Sequence, residues 1–132
     1  MDTLTAMLTF LRQFPLWEQQ SLTVDEKSPK PHTCQLFPLG LTVLRRRENV
    51  QGDKVFTLRQ SFLLRRVAYA GQTAAAWLLA LQNWLLTQPV EALEPAFGNR
   101  LRLWAEQGQP AGLNQPGTGV YQVKIHVEYE KE

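Results

Sequence analysis

Apolar and polar side chains alternate most persistently between Leu41 and Tyr69. Phe56, Leu58, Phe62 and Leu64 share one side of that stretch; Thr57, Arg59, Ser61 and Arg65 share the other. A period of two is the signature of a half-buried strand. Gln60 breaks the apolar row, and Leu63 and Val67 break the polar one. Leu41 to Arg47 forms an ascending arm, the turn falls within Glu48 to Asp53, and Lys54 to Tyr69 returns without Pro or Gly. The pattern predicts one long β-hairpin over 41–69. At ~3.3 Å per step the returning arm measures roughly 50 Å, against a diameter of about 36 Å for a compact domain of this length. The arm is therefore expected to bend, to break at a bulge, or to protrude. A protruding ribbon has unpaired edges and needs a partner.

Helical periodicity flanks the hairpin. Leu4, Met7, Leu8 and Leu11 recur at i, i+3, i+4 and i+7 and predict a helix over Thr3 to Phe14. Asp2 or Thr3 can cap its start and Pro15 ends it, with Leu16 and Trp17 packing back onto the core. Ala74 to Gln88 is the most apolar helix, with a stripe of Ala74, Trp77, Leu78, Leu81, Trp84 and Leu85. Leu79 and Leu86 add a second stripe, so this helix should be covered on more than one side, by lying on the sheet beside the first helix or by taking part in a subunit contact. Gly71-Gln72-Thr73 turns the chain into it and Pro89 ends it. Ser21 to Val24 and Thr33 to Phe37 predict short strands either side of a polar loop over Asp25 to His32, and Pro38 and Gly40 close the second. Pro89 to Gly98 reads as irregular. Asn99 to Gln107 reads as a strand, and the Gly- and Pro-rich 108–118 as a flexible loop. The last strand is the clearest: Tyr121, Val123, Ile125, Val127 and Tyr129 alternate with Gln122, Lys124, His126, Glu128 and Glu130. One wet and one buried face argue for antiparallel pairing. The order predicts a single α+β domain over 1–132, a mostly antiparallel sheet with a long β-hairpin and two helices packed on one face.

The chain has 132 residues, 44% of them hydrophobic, which supports one domain with a real core. Its net charge of +2 is too small to imply nucleic-acid binding. The charge is unevenly placed, however. The 41–69 stretch holds seven basic residues (Arg45, Arg46, Arg47, Lys54, Arg59, Arg65, Arg66) and two acidic (Glu48, Asp53), hence +5 against −3 for the remainder. That split suits contact between copies or with an acidic partner. Cys34 is the single cysteine, so no disulfide framework is expected, and a small buried thiol is the simplest reading. No basic n-region follows Met1 and no apolar run reaches ~18 residues, so neither a signal peptide nor a membrane span is expected. The protein should act first in the cytosol.

Catalytic and metal-binding patterns do not stand out. His32 falls in a loop and His126 on the wet face of the last strand, without a Cys or Asp at ligand spacing. Gly117-Thr118-Gly119 leads into a strand and lacks the Lys and helix of a phosphate loop. Glu91 and Glu94 sit on a Pro-bounded segment where solvation explains them. On a strand Arg45 and Arg47 point one way and Arg46 the other. Solvated edge charges, salt bridges to a neighbouring copy and phosphate contacts all remain open for this run, the last without interleaved aromatics to stack on bases.

Taken in order, several motifs resemble the small proteins encoded among the structural genes of tailed phages and prophages of Gram-positive bacteria, related to minor capsid and tail terminator proteins. They are Phe14-Pro15-Leu16-Trp17 after the first helix, Leu36-Phe37-Pro38-Leu39-Gly40, the charged hairpin, Ala76-Trp77-Leu78-Leu79, Gln82-Asn83-Trp84, Phe97-Gly98 and Gly117-Thr118-Gly119-Val120-Tyr121. The resemblance implies an α/β sandwich of helices on a sheet and a hexameric ring at the head-proximal end of the tail. Such a ring stops tail-tube growth, meets the head connector, and uses neither catalytic residues nor a cofactor. The expectation is thus a virion structural protein, not an enzyme, assembled in the host cytoplasm and carried in the virion. Its partners would be its own copies, the tail tube and the head connector. Arg45, Arg46, Arg47, Arg65 and Arg66 are the expected interface residues. A ring needs head-to-tail contacts, and a basic hairpin beside a mildly acidic remainder suits them. The alternative is a small nucleic-acid-binding module that uses the same hairpin.

Overall fold

A computed structural model describes residues 2–15, 21–24, 33–69, 74–106, 109–115 and 118–132. The elements run α1 (Thr3–Leu11), β1 (Ser21–Val24), β2 (Thr33–Glu48), β3 (Lys54–Tyr69), α2 (Ala74–Thr87), a 3-10 turn (Glu91–Leu93), β4 (Asn99–Ala105), β5 (Gln109–Gln115) and β6 (Thr118–Lys131). The strands form one sheet in the order β1-β2-β3-β6-β4, with β5 also paired to β6. Among the described residues β1 and β2 run parallel and the other pairs are antiparallel. The α+β expectation holds.

The alternating rows sort onto two faces as their period requires. Leu58, Phe62 and Leu64 of β3 and Val123, Ile125, Val127 and Tyr129 of β6 are buried, in one cluster with Met7, Phe10 and Leu11 of α1 and Leu81 and Leu85 of α2. Both helices therefore cover the same face. Asp2 Oδ1 accepts from the Thr5 N–H at 2.7 Å and caps α1. The expected row holds, with Met7 and Leu11 fully buried and Leu4 and Leu8 partly buried against the core, and Ala6 and Phe10 join the buried side. Phe10 and Phe14 each lie against the Trp84 ring, at 5.3 and 5.4 Å, which turns α1 toward α2. Leu16, Trp17, the 25–32 loop with His32, and the 71–73 turn lie outside the described residues.

Three expectations change. The hairpin neither protrudes nor stands free: β3 pairs with β2 on one side and with β6 on the other, from Phe56↔Lys131 to Tyr69↔Thr118. A partner strand distant in sequence matches its length, so the sheet as a whole is long. Pro38 and Gly40 do not end a strand either. They sit at a register shift inside the continuous β2, where a bulge absorbs a missing N–H and an extra residue. Residues 109–115 are β5 and not a loop, paired irregularly with β6 through shifts at Pro110/Gly112 and Gly112/Gln115.

The hairpin turn is set by Asn49. Its Oδ1 accepts from the N–H groups of Gln51 (3.0 Å) and Asp53 (2.9 Å), and its own N–H donates to the Asp53 carbonyl at 2.9 Å. Gly52, at φ +86°, takes the left-handed position such a turn requires.

Candidate functional site

The face of the sheet away from the helices carries a polar network, in which Arg59 Nε and Arg65 Nε lack hydrogen-bond partners. Arg47 Nη2 donates to both Glu130 carboxylate oxygens (3.2 and 3.1 Å), and Arg59 Nη2 donates to Glu128 Oε2 at 3.4 Å. The Arg59 and Arg102 guanidinium carbons lie 5.3 and 5.6 Å from the Trp104 ring centre, within cation–π range. His126 stacks at 5.3 Å on the same indole. Its Nδ1 is 2.7 Å from Ser61 Oγ and its Nε2 is 2.8 Å from Glu106 Oε1.

A Ser–His–Glu chain of contacts was not foreseen, because Ser61, Glu106 and His126 are distant in sequence and the register alone brings them together. A hydrolytic serine needs N–H donors aimed at a developing oxyanion. Ser61 sits in mid-sheet between Gly40 of β2 and His126 of β6, so its backbone groups point in the plane of the sheet. The arrangement holds the imidazole in place and joins β3, β6 and the end of β4 by side-chain contacts.

The expected interface arginines part company. Arg45 and Arg47 stand opposite Thr57 and Val55 on the polar face, while Arg46 stands opposite Phe56 on the helix side. Arg46 lies 5.7 Å from the Phe56 ring centre. Arg65 is half-buried on the polar face, opposite Gln35 and Gln122. Arg66 is 3% exposed, so it belongs to the interior and not to an exposed surface. Its position continues the apolar even-numbered row of β3, a signal that the doubled Arg65-Arg66 masks.

Cys34, opposite Arg66, is fully buried. Burial pushes its thiol up to about 12, with the Arg66 charge pulling weakly the other way. The folded thiol holds its proton to higher pH than the unfolded one. The stability this contributes is complete below about pH 9 and is lost as pH rises toward 12. The native protein is expected to resist thiol-labelling reagents at pH 8 and to react only after denaturation; prompt native labelling would contradict the burial.

The remaining exposed feature lies along β2. β1 pairs only with Thr33 to Leu36, so beyond Leu36 the outer edge of β2 has no partner strand among the described residues. Leu39, Leu41, Val43 and Leu44 on this segment are between 41% and 57% exposed. Leu41 and Val43 pair with Gln60 and Leu58, so they project on the helix side. Gln60 is tied to the start of α1 through Thr3 Oγ1 at 2.7 Å, and Leu58 is buried, yet one strand further out the cover is gone. An open cleft of about 360 Å³ continues the shelf to the hairpin tip, lined by Arg46, Arg47, Glu48, Lys54 and Phe56. Exposed Leu41 and Val43 beside a cationic cleft that Phe56 lines, with exposed Leu39 and Leu44 at the neighbouring bulges, form a surface suited to binding another protein.

No protein-family model matches the chain, and no curated protein matches it. No helix of the described residues is long and apolar enough to cross a membrane. No group of three or more His, Cys, Asp or Glu among them is placed to hold a metal ion.

Proposed function

We propose that this chain is a virion structural protein of a tailed phage or prophage, a tail terminator or head–tail joining component. It works by assembling into a ring and stacking on the tail tube, in the host cytoplasm during assembly and afterwards at the head-proximal end of the tail. The observation that carries the reading is the uncovered β2 shelf, Leu39 to Leu44, continued by Arg46 and Lys54. On the other face several ion pairs and stacked rings form within one protomer, although Arg59 Nε and Arg65 Nε have no hydrogen-bond partner there. The motif order noted in the sequence supplies the phage assignment, and the shelf supplies the means of self-assembly.

Nucleic acid fits this surface less well. Arg45 and Arg46 point to opposite faces, Arg47 is held by Glu130, and Arg66 is buried. Few cations are left to neutralise a run of phosphates, so any DNA binding should be weak and should show a shallow salt dependence. A steep loss of DNA binding between about 50 and 200 mM salt would favour the nucleic-acid reading instead.

The direct test is co-expression with the tail-tube protein of the same genome, followed by electron microscopy. Tubes of bounded length bearing a terminal ring are expected. Tubes equally long with and without this protein, and carrying no ring, overturn the proposal.

A further inference from the structure

We infer that the β2 shelf of one copy docks on the outer side of α2 of the next copy, with Glu91 of that copy entering the Arg46–Lys54 cleft. The inference rests on the reading that the chain self-assembles, and it names the two surfaces that meet.

Among the described residues, the large exposed aliphatic side chains fall into few places. They are Leu39 to Leu44 on β2, Val50 at the hairpin tip, and Leu79 and Leu86 on α2, which are 60% and 72% exposed. Leu79 and Leu86 are seven residues apart, two turns of helix, and so share one side. Leu81 and Leu85 bury the opposite side. An α2 segment without any charged residue, AAAWLLALQNWLLT, thus turns Leu79 and Leu86 outward, with Gln82 and Asn83 between them on the same side.

Charge selects the same pairing. The helix side of the shelf ends in Arg46 and Lys54, with Glu48 opposite Lys54 in the same cleft, and neither cation makes an ion pair among the described residues. The last turn of α2 holds no basic residue, so the partial negative charge of its carbonyl end is not offset by a nearby cation. Thr87 Oγ1 donates to the Trp84 carbonyl at 3.0 Å and satisfies one of these acceptors. Exposed Glu91 follows at the start of the 3-10 turn, also without an ion pair among the described residues. The far end of the sheet offers a poorer match, because β4 presents exposed Arg100 and Arg102 and would set cations against cations.

Placement favours the same contact. β2 lies toward one edge of the sheet, and α2 packs over β4 and β6 toward the other. The shelf and the outer side of α2 therefore face different sides of the protomer. A contact between them is heterologous, each copy offering one surface to each neighbour, and repeats around a ring. The incoming α2 lies on the helix side of the sheet and continues that layer over Leu41 and Val43. Strand addition to β2 is the less favourable use of this edge, because Pro38 and two register shifts interrupt it.

The test is sedimentation velocity of the full chain over a hundredfold concentration range, with circular dichroism to confirm folding. Wild type is expected to associate. Arg46→Glu and Glu91→Arg should each weaken association at least tenfold. An equimolar mixture of the two variants should recover it. The reversed charge on the shelf of one variant then meets the reversed charge beside α2 of the other, and the native Arg46 of the second meets the native Glu91 of the first. Leu86→Ser, a change on the exposed side of α2, should weaken association with the fold unchanged. If Arg46→Glu dissociates the assembly while Glu91→Arg and Leu86→Ser do not, the α2 contact is overturned and self-assembly stands. If wild type stays monomeric throughout and forms no ring on tail tubes, both readings fall.

Discussion

Replacing Phe62 by Ala is expected to lower the stability of this protein by about 3–5 kcal/mol, the usual cost of deleting a fully buried ring. Phe62 is 0% exposed at the middle of β3, between Pro38 of β2 and Ile125 of β6. Its ring meets Phe97 edge-on, at 6.4 Å and 79° between planes, and Phe97 meets Tyr129 the same way at 5.4 Å and 76°. Edge-to-face contacts of this kind add to the burial of the rings themselves. The substitution opens a cavity and also removes one of the two aromatic neighbours that seat Phe97 among the described residues. The sheet backbone cannot collapse into that space, because β3 is held by a strand on each side. At several degrees of melting temperature per kcal/mol for a domain of this size, the midpoint should fall by roughly 10–20 °C. Phe56→Ala, half-buried near the tip of the same strand, should cost about 1 kcal/mol. Thermal and urea unfolding followed by circular dichroism compare the two; equal losses would mean that the core is not centred where the structure puts it.

What the amino-acid pattern revealed follows from how locally each feature is determined. β3 and β6 each have one buried and one wet face, so a period of two is written in their own residues. α1 and α2 likewise announce themselves by apolar spacing, although the Trp84 contact draws Phe10 onto the buried side of α1 as well. β5 could not be read this way. Its QPAGLNQ has no alternation, and its strand conformation comes from pairing with β6. Pro38 and Gly40 look like a stop because their propensities are local, whereas the bulge that accommodates them is created by β3. The supposed excess length of the hairpin had the same origin, since the strand that matches it lies about fifty residues further along the chain.

The candidate surface was legible in part. Arg45, Arg46 and Arg47 were expected to alternate, and they do. Their division of labour was not visible, because Glu130, which holds Arg47, comes from β6. This gives the three arginines different uses as probes. Charge reversal at Arg47 disturbs an ion pair within the protomer, so a loss of assembly would be ambiguous. Arg46 lies between the Phe56 ring and the open cleft, so its reversal reports mainly on what lies beyond the protomer. Leu79 and Leu86 were legible as a second stripe by their helical spacing, but the exposed leucines of β2 carried no local signal, since an exposed and a buried Leu look alike in a strand until the covering layer is known.

Gly98→Ala is expected to cost about 2–4 kcal/mol, as a clash against a backbone that cannot move aside. A Cβ at this position would fall on the carbonyl oxygen of Glu130, with Tyr129 Cδ2 only 3.0 Å away. The backbone at φ +157° also lies in a region that L-residues rarely adopt. Gly98 follows buried Phe97 and leads directly into β4, whose first residue, Asn99, pairs with Glu130. Any side chain there must push β4 off β6 or drag Phe97 out of the core. The same displacement would move the Glu130 carboxylate away from Arg47 and Arg100. Its effect should therefore reach the hairpin tip, which no added atom touches. Gly52→Ala makes the contrast, because a Cβ there meets nothing within 4 Å and the left-handed φ alone costs about 1–2 kcal/mol. Amide hydrogen exchange separates the mechanisms. Gly98→Ala should lower protection in β4, in the 125–130 part of β6 and at the base of the turn, whereas Gly52→Ala should affect the turn alone. Unchanged protection in β4 with Gly98→Ala would mean that the two strands are not in the close contact from which this cost is derived.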